Sequence, residues 1–446
     1  MPIHGAHVKT IFLIPRINPS LRYINTTPIM ELKRVVVTGL GALTPIGNTV
    51  EAFWQGLSTG TSGAAPITKF DASLFKTRFA CEVKGFDPLN YFDRKEARKL
   101  DGYVHYAIVT ADQAIADAGL LNAGINKERI GVIWASGIGG LHSFQEEVLA
   151  YAAGGKIPRF SPFFIPKMIA NMGSGMISIR HGFMGVNFAP VSACASSTHA
   201  LIDGFNYIRL GKADAIVTGG SEYVITESAV GGFSNMKAMS ERNDEPQRAS
   251  RPFDANRDGF VMGEGGGAIV LEDYEHAKAR GAKIYCELVG SGATSDAYHM
   301  TGTHPEGLGA ANAMREALAE AGLQPQDVDY LNVHATSTPI GDLSEARAIV
   351  NVFGENPTHL NISATKSMTG HLLGAAGAIE GVAGILAMQH NLIPPTINLE
   401  NRDENVPAGL NLTPNVAQPK QVNVVMSNTF GFGGHNAIVL FKRFSE

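Results

Sequence analysis

The sequence predicts an α/β protein built from two similar halves. Two observations carry this. Strand-like and helix-like segments alternate from residue 32 onward, the pattern of helices packed on a largely parallel sheet. The same elements then recur in the same order along the second half of the chain.

The first half opens with Arg34-Val35-Val36-Val37-Thr38-Gly39-Leu40-Gly41-Ala42, a buried strand running into a glycine turn. A helix over residues 107–120 follows. It ends Asp117-Ala118-Gly119-Leu120, with glycine where a positive φ is favoured. Residues 130–134 form the next strand. An extended stretch over 187–193 leads to Cys194, and small residues and a helical pattern continue to Leu210. Residues 215–218 read as another strand. In the second half, residues 284–293 repeat the opening strand, and a helix over 312–323 ends Glu320-Ala321-Gly322-Leu323. A strand over 328–333 follows. Residues 362–365 then correspond to 191–194, and 424–427 to 215–218. The join falls near residue 282, after a helix over 274–280, giving halves 30–282 and 283–446. Two such halves place strand ends on a common face, where a site can form between them.

Residues 1–29 stand apart. They carry Lys9, Arg16 and Arg22 and no acid, and Pro15 breaks their only apolar run. That run is too short for a secretory signal, and prolines spoil an amphipathic transit helix. A disordered extension, or a start upstream of a natural Met30, is expected.

Composition narrows the function. With 446 residues, 44% hydrophobic and 17% charged, the chain is ordinary globular protein. A net charge of −5 asks for neither nucleic acid nor an anionic membrane. The most apolar stretch, 372–388, is rich in Gly and Ala and holds Glu380, so a buried helix is expected and no membrane span. Cys81, Cys194 and Cys286 are too few and scattered for a disulfide framework, which points to a reducing cytoplasm.

Cys194 is the residue most open to chemistry. It sits where an extended segment turns into a helix start, where N–H groups and the helix dipole stabilise a thiolate. The stretch alone leaves two readings open, a nucleophile and a buried structural cysteine. The second half adds His334, just past a buried strand, and His371, expected to begin a long small-residue helix. Lys366 and Glu380 flank His371, and as a buried pair they would orient its imidazole. The segment Phe430-Gly431-Phe432-Gly433-Gly434-His435-Asn436, read as following the last strand, exposes N–H groups able to hold an oxyanion. Phe432 is either a gate or a core residue in a tight turn.

Weaker motifs are set aside. Gly39-Leu40-Gly41 lacks the third glycine and the acid of a dinucleotide fingerprint. Asp254-Ala255-Asn256-Arg257-Asp258-Gly259 begins like a calcium loop, but the twelfth position is Gly265, so a salt-bridged structural loop is expected, with a bound cation as the minor alternative. No His/Cys spacing suggests zinc, and no metal is expected.

From Met30 to about Arg443 the chain resembles the β-ketoacyl-acyl-carrier-protein synthases, within them the type II enzymes of bacterial fatty-acid synthesis. Cys194, His334 in His-Ala-Thr-Ser-Thr-Pro and His371 in Lys-Ser-Met-Thr-Gly-His match the family's nucleophile and two histidines. Ser250-Arg251-Pro252-Phe253-Asp254, Arg257-Asp258-Gly259-Phe260 and Phe430-Gly431-Phe432-Gly433-Gly434 match at family spacing. Ala335 and His435 depart from the family's usual Gly and Thr.

The resemblance implies a thiolase-like fold, two duplicated α/β halves in a five-layered αβαβα sandwich. It implies an acyltransferase of fatty-acid elongation: an acyl chain passes to Cys194, then malonyl carrier protein loses CO2 and its carbanion attacks the acyl-enzyme. N–H groups of Cys194 and Phe432, beside Phe430, would form the oxyanion hole and gate. His334 and His371 would stabilise the enolate, with Lys366 and Glu380 ordering His371. Thr336 and Thr338 resemble residues that bind the phosphopantetheine arm, which arrives on the carrier protein, so no resident cofactor is expected. Lys95 and Lys99, one helical turn apart, resemble with Lys237 a docking patch for acyl carrier protein. A merely solvated basic face is the alternative. A homodimer is also implied. A thiolase would bring a second reactive cysteine late in the chain, and the last here is Cys286.

Overall fold

The structure, a computed structural model, describes residues 31–121 and 124–446. The expectation for residues 1–29 lies outside them. Residues Lys33–Glu446 form one compact unit.

The centre is a ten-stranded sheet. The first half supplies β1 (Val35–Leu43), β2 (Ile130–Ala135), β3 (Asn187–Phe188), β4 (Ala215–Glu222) and β5 (Gly265–Asp273). The second supplies β6 (Cys286–Ser295), β7 (Tyr330–Asn332), β8 (Asn361–Ser363), β9 (Val424–Gly431) and β10 (His435–Arg443). The order across the sheet is β8-β7-β9-β10-β6-β1-β5-β4-β2-β3. Outward from the centre, each half therefore runs first strand, last strand, fourth, second, third. The halves join where β1 pairs antiparallel with β6, Val35 opposite Leu288 and Val37 opposite Cys286.

The expected largely parallel sheet is corrected. Parallel pairing is confined to the two flanks, β8/β7/β9 and β4/β2/β3. The central pairs are antiparallel. A strand buried on both faces reads as a continuous apolar run whichever way its neighbours point, so its pattern carries no direction.

Five helices build the other layers: α1 (Gly102–Asp117), α2 (Ser196–Arg209), α3 (Leu308–Ala321), α4 (Pro339–Phe353) and α5 (Ala376–His390). α1 packs on β1, β5 and β4 of one half-sheet, and α3 on β6 and β10 of the other. α2 and α5 touch strands of both half-sheets and lie between them. Leu201 and Phe205 of α2 share one core with Val382 and Ile385 of α5 and with Leu271 and Val439 of the strands. The layers thus run helix, half-sheet, central helices, half-sheet, helix.

Glycines explain how α1 and α3 approach so closely. A Cβ on Gly39 or Gly41 would sit 2.1 Å from the carbonyl oxygen of Ala114 or Thr110 in α1. A Cβ on Gly290 or Gly292 would sit 2.3 or 2.0 Å from that of Ala317 or Ala313 in α3. The same helix-on-strand contact is made twice, and Gly39-Leu40-Gly41 serves packing. Gly119 and Gly322, both with positive φ, close the two helices.

α5 is buried from Ala376 to Met388. Among the described residues no helix is long and apolar enough to cross a membrane.

Candidate active site

Cys194 lies on a sharp elbow between β3 and α2. Ala193 has φ +51, a conformation that disfavours side chains larger than its methyl. The turn closes through Ala195 N–H to Ser192 O (3.1 Å) and Ser196 N–H to Ala193 O (3.2 Å). The Ser196 hydroxyl donates to Ala193 O at 2.6 Å and accepts from Ser192 N–H at 2.9 Å, tying the elbow to the first turn of α2. The short run of small residues in the sequence is the local signature of this geometry.

The segment read as following the last strand is instead the turn of a hairpin, because β10 continues after it. Gly433 and Gly434 have φ +89 and +77 and let the chain reverse. A Cβ on Gly431 would meet Ser192 O at 2.7 Å and Cys194 N at 3.1 Å, so this glycine lets the hairpin press on the elbow. The N–H groups of Phe432 and of Cys194 consequently both face the sulfur. The Phe432 ring lies 6.3 Å from that of Phe233, and the Phe430 ring 5.6 Å from His334.

The second half supplies the facing groups. His334 follows β7, as expected. His371 lies five residues before α5 rather than at its start, and a short turn, Leu373–Ala375, intervenes. His371 Nε2 is 3.0 Å from Cys194 Sγ. The His334 and His371 rings are edge to face, 5.3 Å apart. A cleft of about 400 Å³ is lined by Cys194, His334, His371, Thr336, Thr338 and Phe432, and exposed Lys237 also lines it.

Electrostatics changes one expectation. The helix start does not leave a standing thiolate: burial pushes the Cys194 thiol up to about 12. Burial, and then the charge on Lys366, hold both imidazoles well below the usual histidine range. The resting site is a neutral thiol beside neutral imidazoles.

Lys366 and Glu380 form a buried ion pair, each less than 4% exposed. Neither orients His371 by a hydrogen bond, as had been expected. His371 Nδ1 has no partner among the described residues. Lys366 acts by charge, lowering the thiol pKa and opposing protonation of both histidines. Even beside it, burial pushes Glu380 up to about 7. Thr429 donates to Glu380 at 3.5 Å and accepts from Thr198 of α2 at 2.9 Å, linking the pair to the helix that follows Cys194.

Glu345 of α4 was missed from the sequence. Its carboxylate accepts from His334 N–H (2.9 Å), Ala335 N–H (2.7 Å) and Asn428 Nδ2 (3.1 Å), and so holds the first histidine's backbone. An acid between Ser344 and Ala346 on a helix face that packs inward was the available signal. Ala335 is buried and outside the left-handed region, so it carries no strain there.

The 254–259 segment is the salt-bridged loop expected. Arg257 pairs with Asp403 (2.8 Å) and Asp342, and donates to Thr338 O (3.2 Å) and Pro339 O (2.8 Å). It thereby fixes Thr336 and Thr338, whose hydroxyls lie 3.1 Å apart. Lys95 and Lys99 do not share a helix face as expected. The helix there is a single turn, Arg94–Ala97, which ends before Lys99, and neither lysine lines the cleft.

Comparisons place these features among known proteins. The N-terminal domain of β-ketoacyl synthases matches residues 32–277, and the C-terminal domain residues 285–400. The chain is 49% identical to a 3-oxoacyl-[acyl-carrier-protein] synthase 2 of Synechocystis, over 93% of this chain and 99% of that protein. It is 48% identical to the protein of that name from Coxiella burnetii, with the same coverage. A solved β-ketoacyl synthase from Burkholderia phymatum superposes with a TM-score of 0.86 at 35% identity, covering 93% of this chain and all of that one. A solved ketosynthase in complex with a type II polyketide acyl-carrier protein, bound to the hexaketide, also superposes at 0.86, with 32% identity and the same coverage.

Proposed function

The chain belongs to the β-ketoacyl synthase family and has its thiolase-like fold, and from that premise we propose that it elongates acyl chains on a carrier protein, as a 3-oxoacyl synthase of fatty-acid synthesis. The observation that carries this reading is one cleft holding Cys194 Sγ, His371 Nε2 at 3.0 Å, the His334 ring and two N–H groups aimed at the sulfur.

In the first step Cys194 Sγ attacks the thioester carbon of an acyl carrier protein and its proton is relayed by His371 Nε2 toward the departing carrier sulfur, so that no standing imidazolium forms. The oxyanion forms against the N–H groups of Cys194 and Phe432, and the carrier thiol leaves with that proton. In the second step malonyl carrier protein loses CO2. Its electron pair becomes an enolate, held by the N–H of neutral His334 and by that of neutral His371 once its ring proton has moved from Nδ1 to Nε2. The enolate carbon attacks the acyl-Cys194 carbonyl, the C–S bond breaks, and Sγ leaves as a thiolate that takes up one proton from solvent water. Because both imidazoles resist protonation, they serve as neutral donors and do not quench the carbanion with an acidic proton. Thr336 and Thr338 hold the phosphopantetheine arm, a part of the substrate, and the reaction requires no resident cofactor. Lys237, exposed beside the cleft, is the basic residue best placed to meet an acidic carrier protein.

His334→Ala separates the two steps. Mass spectrometry after mixing with acyl carrier protein will show Cys194 loaded within about threefold of the wild-type rate, whereas condensation falls on the order of a hundredfold or more. Equal loss of both steps would remove His334 from the enolate site.

The protein acts as a homodimer on this reading. The 141–169 segment exposes Phe144, Leu149, Phe160, Phe163 and Ile165, and β3 is an unpaired sheet edge. Light scattering at micromolar concentration is expected to give twice the chain mass; a monomer there would oppose it. The three cysteines are unpaired, in keeping with a reducing cytoplasm.

A further inference from the structure

We propose that His435 is a positioning residue for the oxyanion hole, acting through His199 on the elbow that carries Cys194. The inference rests on the condensing-enzyme reading of the site.

Two contacts join the hairpin to the elbow. One is the close approach of Gly431 to Ser192 and Cys194. The other runs through side chains. Ser192 Oγ, two residues before the nucleophile, lies 2.6 Å from His199 Nδ1 on α2. The His199 ring stands edge-on to the His435 ring, their centres 6.3 Å apart. His435 opens β10 directly after Phe432-Gly433-Gly434 and pairs across the hairpin with Gly431. Its Nε2 also covers Gly433, 3.1 Å from where a Cβ would stand. One ring is thus fixed to the elbow and the other to the base of the hairpin that presents the Phe432 N–H.

The separation of these two bodies sets the width of the oxyanion hole, so the state of the ring pair controls it. Neutral rings pack edge to face. A positive charge on His199 is disfavoured against the His435 ring. Burial and the neighbouring His435 both hold His199 below the usual histidine range, which keeps the pair packed at neutral pH. The other titratable groups of the surrounding elements are few. Asp203 lies one turn further along α2 and is partly buried. Asp296 and His299 lie in the segment beneath the hairpin, which Asp296 N–H reaches at Gly434 O (2.8 Å) and which receives Gly433 N–H at Met300 O (2.8 Å). Acidification charges His199, drives its ring from that of His435 and so withdraws the Phe432 N–H from the sulfur.

The test uses the full chain with His435→Thr and His435→Gln, from pH 5 to 8. Single-turnover acyl transfer from an acyl carrier protein thioester reads the oxyanion hole. Alkylation of Cys194 by iodoacetamide, followed by mass, reads the thiol without it, and a thermal melt at each pH confirms folding. Between pH 7.5 and pH 5 the wild-type transfer rate should fall on the order of fivefold more than that of either variant, with alkylation profiles superimposed. A variant that keeps the wild-type acid limb overturns the proposal. So does a difference that appears equally in alkylation, since the thiol itself would then be titrating. Wild-type protein that is alkylated but never acylated at any pH sinks the underlying condensing-enzyme reading instead.

Discussion

Cys194→Ala will give a folded protein that no longer elongates an acyl chain. The sulfur is the only nucleophile facing the two N–H groups among the residues lining the cleft, so no neighbour replaces it. Elongation should fall by at least about four orders of magnitude, the scale seen when the nucleophile of a covalent mechanism is removed. Stability should change by only about 1 kcal/mol, because one small group is lost at a helix start and Ala193, Ser196 and the turn bonds remain. The histidines also remain. Malonyl carrier protein should still lose CO2, its carbanion taking a proton for want of an acyl acceptor. The measurement is radiolabelled CO2 release beside product mass. Elongation that persists in a pure sample would remove Cys194 from the chemistry.

Lys366→Met will damage both fold and reaction, and the two losses can be separated. In the fold, the change leaves the Glu380 carboxyl almost fully buried with its cation gone. Removing one partner of such a pair typically costs about 3–5 kcal/mol. Here the loss should fall toward the lower end, since burial already lifts Glu380 to about 7 and it can take a proton. A melting temperature lower by several degrees is expected. In the reaction, the change removes the positive charge that lowers the Cys194 pKa and opposes imidazolium formation. One pKa unit on the thiol corresponds to about tenfold in thiolate, so alkylation of Cys194 by iodoacetamide at neutral pH, which needs no proton transfer to His371, should slow by about that factor. Pairing Lys366→Met with Glu380→Met should restore the melting temperature without restoring alkylation. Wild-type alkylation in the single variant would show that the Lys366 charge does not act on the thiol.

The groups proposed to react were legible because each sits in a local pattern dictated by its own backbone. The elbow needs a small residue before Cys194 and a hydroxyl two places after it, and Ala193 and Ser196 stand there. The hairpin needs Gly431, Gly433 and Gly434, and all three can be read. The twofold repeat was legible for the same reason: Gly39 and Gly41, then Gly290 and Gly292, answer the same close approach of a helix.

What escaped the sequence depends on partners distant in the chain. Glu345 matters because α4 brings it under the backbone of His334 and beside Asn428. The strand directions escaped because burial on both faces erases the alternation that would reveal a neighbour. The hairpin was misplaced because its closing strand was not recognised.

By itself the sequence determined the duplicated α/β halves, the positions of the candidate nucleophile and of the two histidines, and the glycines that let the backbones touch, since each is a short-range demand on neighbouring residues. Only the tertiary structure decided the protonation state of the site. A cysteine at a helix start suggests a thiolate, but the fold buries it, and desolvation outweighs the dipole, so the thiol waits as a neutral acid. The fold also decided that Lys366 works through its charge and not by orienting His371, and that the Cys194 elbow and the Phe432 hairpin meet through His199 and His435. Burial and electrostatic coupling sum over groups far apart in sequence, and no local pattern carries that sum.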